Sequence, residues 1–221
     1  MADTLANPKP ETDRRTRILD AAEALFSHKG YDAVSLREIA RLADVDVALA
    51  SYHFGRKREL FDAVFLRRAE VLNRMRLDAL DRAEAASAPE PAPVEAVIQA
   101  YLRPLLTGDH LAEEGWRNYY ALVAYVNNSS DLGGELMSQF FDPMVERFMA
   151  ALKAALPDAR PEALYWGYHC LSGALTLAFA QTGRIDRLSR GLCRSEDLEG
   201  AYAHIHAFAV GGFERACGSR S

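Results

Sequence analysis

Apolar residues recur along this chain three or four positions apart, the spacing of a helix, from its first segment to its last. Ile18, Leu19, Ala22, Leu25 and Phe26 share one helical face. Thr12 is placed to cap that helix and Gly30 to stop it. Ser35 is placed to cap a second, short helix with Leu36, Ile39, Ala40 and Ala43 on one side. The pattern breaks from Ala43 to Asp46. Asp46 is placed to cap a third helix reaching about His53, with Gly55 as its end. A longer helix follows from about Lys57, turning Phe61, Val64, Phe65, Leu72 and Met75 inward. Its outer face is assigned Arg67, Arg68, Arg74, Arg76, Asp78 and Asp81.

Three prolines among small residues make 85–93 a loop. Val94, Val97, Ile98, Tyr101 and Leu102 predict a fifth helix, with Pro104 near its last turns. Trp116, Tyr119, Tyr120 and Val123 form an i, i+3, i+4, i+7 stripe. Met137, Phe140, Phe141, Met144, Phe148 and Leu152 form another, with a bend expected at Pro143. Residues 162–181 are apolar almost all round, so that helix needs cover on both sides. A polar loop is expected at 183–195. Ser195 is then placed to cap a last helix with Glu196, Asp197 and Glu199 in its first turn, where the helix dipole favours acids. No segment alternates with period two. The fold class is therefore all-α, with about nine helices.

Length and composition narrow the functional classes. The 221 residues are 49% apolar and carry a net charge of −5, ordinary for a globular chain. No apolar run approaches the length of a membrane span, and no apolar signal segment opens the chain. A cytoplasmic location follows as the expectation. Cys170, Cys193 and Cys217 are too scattered for a disulfide framework or a metal site. His204 and His206 point in different directions on a helix and cannot readily share a metal. Gly-rich phosphate loops and the common hydrolase and metalloprotease motifs are absent, so neither a cofactor nor an enzyme is expected. Charge is uneven: residues 12–60 carry nine basic and eight acidic residues, whereas 61–221 carry 16 and 21. A slightly basic head on an acidic body points weakly to nucleic acid.

Two short helices joined by a four-residue break have the layout of a helix-turn-helix, whose second helix enters the DNA major groove. That helix would expose Val47, Ala48 and Ser51, with Tyr52 and His53 at its far end. The short apolar side chains offer methyl contacts to thymine rather than bidentate hydrogen bonds. Arg14, Arg15, Arg17, Ser35, Arg37, Tyr52, His53, Arg56 and Lys57 are candidate phosphate partners. Periodicity alone equally describes a three-helix structural subdomain with a solvated charged face. The residue pattern separates the two. Ile18 to Ala22, Leu25, Phe26, Gly30, Tyr31, Ser35 to Ala40, Ala43, Val45, Tyr52 to Gly55, Lys57, Leu60 and Phe61 resemble, in register, the DNA-binding domain of the TetR family of bacterial transcriptional regulators. Asp44 stands where the family usually has glycine. The aromatic at Tyr52 rather than at Ser51 resembles the fatty-acid-responsive, PsrA-type subgroup. Resemblance implies phosphate contacts for Ser35, Tyr52, Lys57 and His53. Arg56 adds a cation where that subgroup has serine. The domains expected are an arm at 1–11, the DNA-binding head at 12–56 and a helical body at 57–221.

The resemblance also implies that the body binds a ligand and dimerises. Trp116, Tyr120, Phe140, Phe141 and Phe148 suit an apolar cavity between helices, though each alone is as well explained as core. Residues Trp166 to His169 and Ser172 to Ala174 resemble the same subgroup more loosely, implying a fatty acid or acyl thioester effector. His169 is assigned to the ligand site. Arg103, Arg117 and Arg147 are candidates to neutralise an effector carboxylate. Small residues on the last two helices suit a homodimer interface, and a two-fold dimer matches a pseudo-palindromic operator. The expectation is a repressor released from double-stranded DNA by a small apolar effector. A regulator of aromatic or cationic compounds, a helical enzyme and an interaction module without DNA binding are the alternatives.

Overall fold

The computed structural model describes residues 11–217, with side chains from Asp13 onward. The arm expected at 1–11 therefore lies outside the described residues, apart from Glu11, which is helical; the expected cap at Thr12 also lies outside the described side chains. Among the described residues there are ten α-helices, one 3₁₀ turn and no strand. The chain forms two compact units, one ending at Arg67 and the other starting at Arg68.

The first unit is built from α1 (Glu11–Lys29), α2 (Leu36–Ala43), α3 (Val47–Phe54) and the start of α4 (Lys57–Ser87). Ile18, Leu19, Ala22 and Phe26 of α1 are buried, as the stripe predicts. Gly30 ends α1 at φ 75°, its N–H donating to the Phe26 carbonyl. Ser35 caps α2 with a reciprocal box: its hydroxyl accepts from the Glu38 N–H, and the Glu38 carboxylate accepts from the Ser35 N–H. Asp46 takes the N-cap position of α3, but its side chain makes no capping bond. Leu60, Phe61, Val64 and Phe65 of α4 are fully buried, and Phe61 packs edge-on against Phe26 and Tyr31. These residues carry the unit eleven positions beyond the boundary expected at 56.

The second unit contains the rest of α4, then α5 (Val94–Leu106), a 3₁₀ turn (Asp109–Ala112), α6 (Glu114–Asn127), α7 (Gly133–Ala155), α8 (Pro161–Ala180), α9 (Arg184–Leu188) and α10 (Leu198–Cys217). α4 runs to Ser87, past the start of the expected loop, because Ala83, Ala85 and Ala86 are strong helix formers. α7 continues as helix through Pro143. α9 falls inside the stretch expected to be a loop. It buries no residue, so it leaves no periodic stripe to read. Ser195 does not cap α10; Asp197 does, its carboxylate accepting from the Gly200 N–H at 2.8 Å. α6 packs on α7 and α8, and α10 packs on α5 and α8. The buried residues of α8 reduce to one stripe: Leu164, Leu171, Leu175 and Phe179. No helix among the described residues is long and apolar enough to cross a membrane.

Candidate nucleic-acid interface and ligand cavity

α3 is held by one face and open on the other. Ala50 and Phe54 are buried, while Val47, Ala48, Ser51 and Tyr52 are exposed. Positions i, i+1, i+4 and i+5 lie together on a helix, so these four form one continuous face. Tyr52 is 79% exposed, unusual for a ring with nothing to cover. The turn before α3 depends on Asp44, which adopts the left-handed conformation at φ 53°, ψ 53°. Arg17 binds this residue twice, donating to its carbonyl at 3.3 Å and lying 3.5 Å from its carboxylate.

The remaining predicted contacts are scattered around this face in different states. Arg37 and Arg56 are exposed, and Arg14 is half-buried. Ser35 is already engaged by Glu38 through the capping box, and Lys29 lies 3.2 Å from the same carboxylate. The Ser35 backbone N–H and Lys29 hold the Glu38 carboxyl below its usual range. Lys57 donates to the Tyr31 carbonyl at 3.0 Å and sits 4.2 Å from the centre of the Tyr31 ring, which ties the start of α4 to the turn after α1. His53 is half-buried, with Nε2 enclosed and unpartnered among the described residues.

Within the body, five helices close around a small cavity of about 50 Å³. Tyr101, Tyr120, Phe141, Tyr168 and Phe179 line it with rings, and Leu72, Leu105, Val123 and Leu175 add aliphatic wall. Tyr120 stacks on Phe179 with ring centroids 4.4 Å apart. Burial drives the Tyr120 and Tyr168 hydroxyls far above the usual phenol value, so both remain protonated donors.

The unexpected wall residue is Arg76. Its charge assigns it, in the sequence, to the outer face of α4; the structure leaves it only 3% exposed. It continues the buried stripe of Phe65, Ala69, Leu72 and Leu80, at the spacing of an inward helical face. One guanidinium nitrogen donates to the Asn73 side-chain oxygen at 2.5 Å, and Asn73 in turn donates to the Phe140 carbonyl at 2.6 Å. The guanidinium lies 4.9 Å from the Tyr101 ring and 5.6 Å from the Phe141 ring. Its Nε has no partner, and no carboxylate among the described residues pairs with it.

Of the residues assigned to the ligand site from sequence, Tyr120 and Phe141 line this cavity. Trp116, Phe140 and Phe148 do not. Trp116 sits beneath the Arg68 guanidinium, 4.7 Å away, and Phe148 packs on Tyr101, 4.3 Å away. Phe140 is buried beside Asn73. His169 is exposed, beside Trp166 on the outer face of α8. The three arginines proposed for an effector carboxylate lie elsewhere as well. Arg147 is paired with Asp81 and Glu84, both at 2.9 Å, while Arg103 and Arg117 are exposed over other hollows. Sequence offered one signal for Arg76, its place in the α4 stripe, and residue type outweighs that signal in a single chain.

Comparison with known proteins agrees with this architecture. Residues 18–64 match the family model described as "Bacterial regulatory proteins, tetR family", and residues 99–212 match "Tetracyclin repressor-like, C-terminal domain". The HTH-type transcriptional regulator BetI of Rhizobium meliloti is 32% identical over 114 residues, half of this chain and 52% of that protein. The chain thus spans about half the length of that curated relative. A Clostridium perfringens chain with the working name fatty acid metabolism regulator superposes with a TM-score of 0.63 at 19% identity, over 89% of this chain and 97% of its own. A transcriptional regulator from Saccharomonospora viridis, solved in complex with choline, gives 0.53 at 17% identity over 95% and 100%. These two likenesses establish the fold alone. With the helix-turn-helix in the first unit and a body matched over more than half of its length, the chain belongs to the TetR family of DNA-binding transcriptional regulators.

Proposed function

We propose that this regulator is a dimeric repressor that reads a pseudo-palindromic operator with α3 and leaves it when a small, largely apolar effector fills the body cavity. The aromatic cavity closed by α4 to α8 is the observation that carries this reading. At about 50 Å³ it lies well below the roughly 300–1,000 Å³ of an occupied ligand site, so an effector must spread the surrounding helices. α4 contributes residues both to the cavity and to the first unit, and so would carry that change along its length. Effector and DNA then need only prefer different conformers. In the head, Val47, Ala48 and Ser51 would meet base edges. Arg14, Ser35, Arg37, Tyr52, His53, Arg56 and Lys57 would meet phosphates.

Dimerisation would use α8 and α10. Tyr165, Trp166, Leu177 and Phe208 are exposed there, a patch that a monomer does not usually leave open. Two such helices from each protomer make a four-helix interface. The fatty-acid-responsive subgroup resembled by the Tyr52 to Gly55 segment supports an acyl effector, as does the Clostridium perfringens neighbour. The neighbour solved with choline favours a second reading, a cationic effector.

The test is selection of DNA from a random pool by the full chain, followed by operator occupancy against fatty acids of increasing length. We expect a two-fold symmetric site bound by two protomers. Release should sharpen with chain length, by up to about 0.8 kcal/mol per buried methylene, until the cavity is full. A chain that selects no sequence, or that binds DNA as a monomer, would end this reading.

A further inference from the structure

We infer that Arg76 is the anchor for an acidic group on the effector, so that the cavity takes a small organic monocarboxylate and refuses a quaternary ammonium ion. This rests on the reading of the cavity as the effector site. A guanidinium remains charged under all ordinary conditions and offers five N–H donors. Here one donor is used by Asn73 and Nε is unpartnered, although the side chain is almost wholly buried. Such a charge costs several kcal/mol of lost hydration unless something pairs with it. The protein supplies two ring faces and one neutral amide, which orient the group without neutralising it.

The chemistry of the wall narrows the partner. A planar guanidinium matches a carboxylate through two parallel hydrogen bonds. Tyr120 and Tyr168 add protonated hydroxyls to the same wall, the first 3.3 Å from His110 Nε2 and the second hydrogen-bonded to Tyr101. One buried cation neutralises one negative charge, so a phosphate monoester would carry a second charge with no counterpart. A choline-like cation would face like charge in an apolar enclosure. An acyl thioester presents no charge at its acyl end. The remainder of the ligand meets rings and aliphatic side chains, and must be apolar. The 50 Å³ volume keeps that remainder short unless the helices move.

The experiment is titration calorimetry on the full chain with benzoate and hexanoate, each beside its neutral amide, and with choline and inorganic phosphate. Each carboxylate should bind at least about tenfold more tightly than its amide, as a charge-assisted pair requires. Choline and phosphate should not bind. Arg76→Met should bring the carboxylates down to the affinity of the amides, Arg76→Lys should retain part of the preference, and Arg103→Met should change nothing. Should Arg76→Met fail to fold, the carboxylate-to-amide ratio of the unaltered chain still decides. Equal binding of amide and carboxylate, binding of choline or phosphate, or no carboxylate binding at about 10 mM overturns the proposal. Operator release by choline but not by carboxylates would sink the anchor and leave the repressor standing. Carboxylate binding without sequence-selective DNA binding would do the reverse.

Discussion

Asp44 holds a backbone conformation that glycine adopts more readily, yet its carbonyl and carboxylate both engage Arg17. The carboxylate is almost fully exposed, so its ion pair is screened and weak. Asp44→Gly should therefore change stability by no more than about 0.5 kcal/mol in urea unfolding. It should also tighten DNA binding, most at low salt, because a negative charge leaves the edge of the reading helix. Unchanged anisotropy titrations would show that this turn stays away from phosphates. Ser35 is the opposite case, a side chain whose local bonds matter more than its exposure. Ser35→Ala removes the hydroxyl half of the capping box, leaves the backbone half and should cost about 1 kcal/mol, whereas Ser35→Thr should keep most of it. His110 adds a pH term in the body. Its ring nitrogen lies 3.3 Å from the Tyr120 hydroxyl, and burial holds its pKa below the ordinary value of 6.5. The unfolded chain thus takes up the proton more readily than the folded one. Stability tied to His110 is intact above pH 6.5 and is lost as pH falls below it. Melting temperatures from pH 7.5 to 5 should fall less steeply in His110→Gln than in the parent.

At the scale of an element, α4 shows what a helix can hide. Arg67 pairs with Asp20 at 2.7 Å and with Glu23, whose side chain is only 1% exposed. Truncating Arg67 takes a charge-assisted partner away from a buried carboxylate. Arg67→Ala should cost about 1.5–3 kcal/mol, and the double change with Glu23→Leu should recover part of it. Equal losses in both variants by denaturant titration would mean that the pair adds nothing. Arg67 and Arg76 also mark the limit of reading this helix from its residues. The Ser35 cap, the Gly30 stop and the α3 boundaries were legible because each depends on residues within one turn. The inward stripes were legible wherever apolar residues filled them. Glu23 and Arg76 occupy the same stripes and read as surface, since a charged residue is rarely buried without a partner. Glu23 meets Arg67 of α4, and Arg76 is enclosed by rings of α5 and α7, and local pattern does not show which helices meet. The cavity was half legible for the same reason. Tyr120 and Phe141 came from stripes, whereas Tyr101, Tyr168 and Phe179 joined them only through the packing of α5 and α8.

For the whole molecule, the proposed assembly rests on the exposed rings of α8 and α10. Trp166 is 68% exposed and Phe208 is 75% exposed on one protomer. Phe208→Glu should halve the mass measured by light scattering and weaken operator binding, with helicity by circular dichroism unchanged. Retention of the dimer would move the interface to another face. The order in which the parts come off the ribosome adds a further consequence. Every contact within the first unit is made by residues up to Arg67, but α10 closes on α5, with His206 Nε2 3.4 Å from the Glu95 carbonyl across 111 positions. At roughly 5–20 residues per second, the first unit is complete roughly 7–30 s before α10 exists. On the reading proposed above, a growing chain would present α3 before α10 could close the body or meet a second copy. On the proposed interface, a message broken before Leu198 would yield a head that lacks the α10 half of its pairing face.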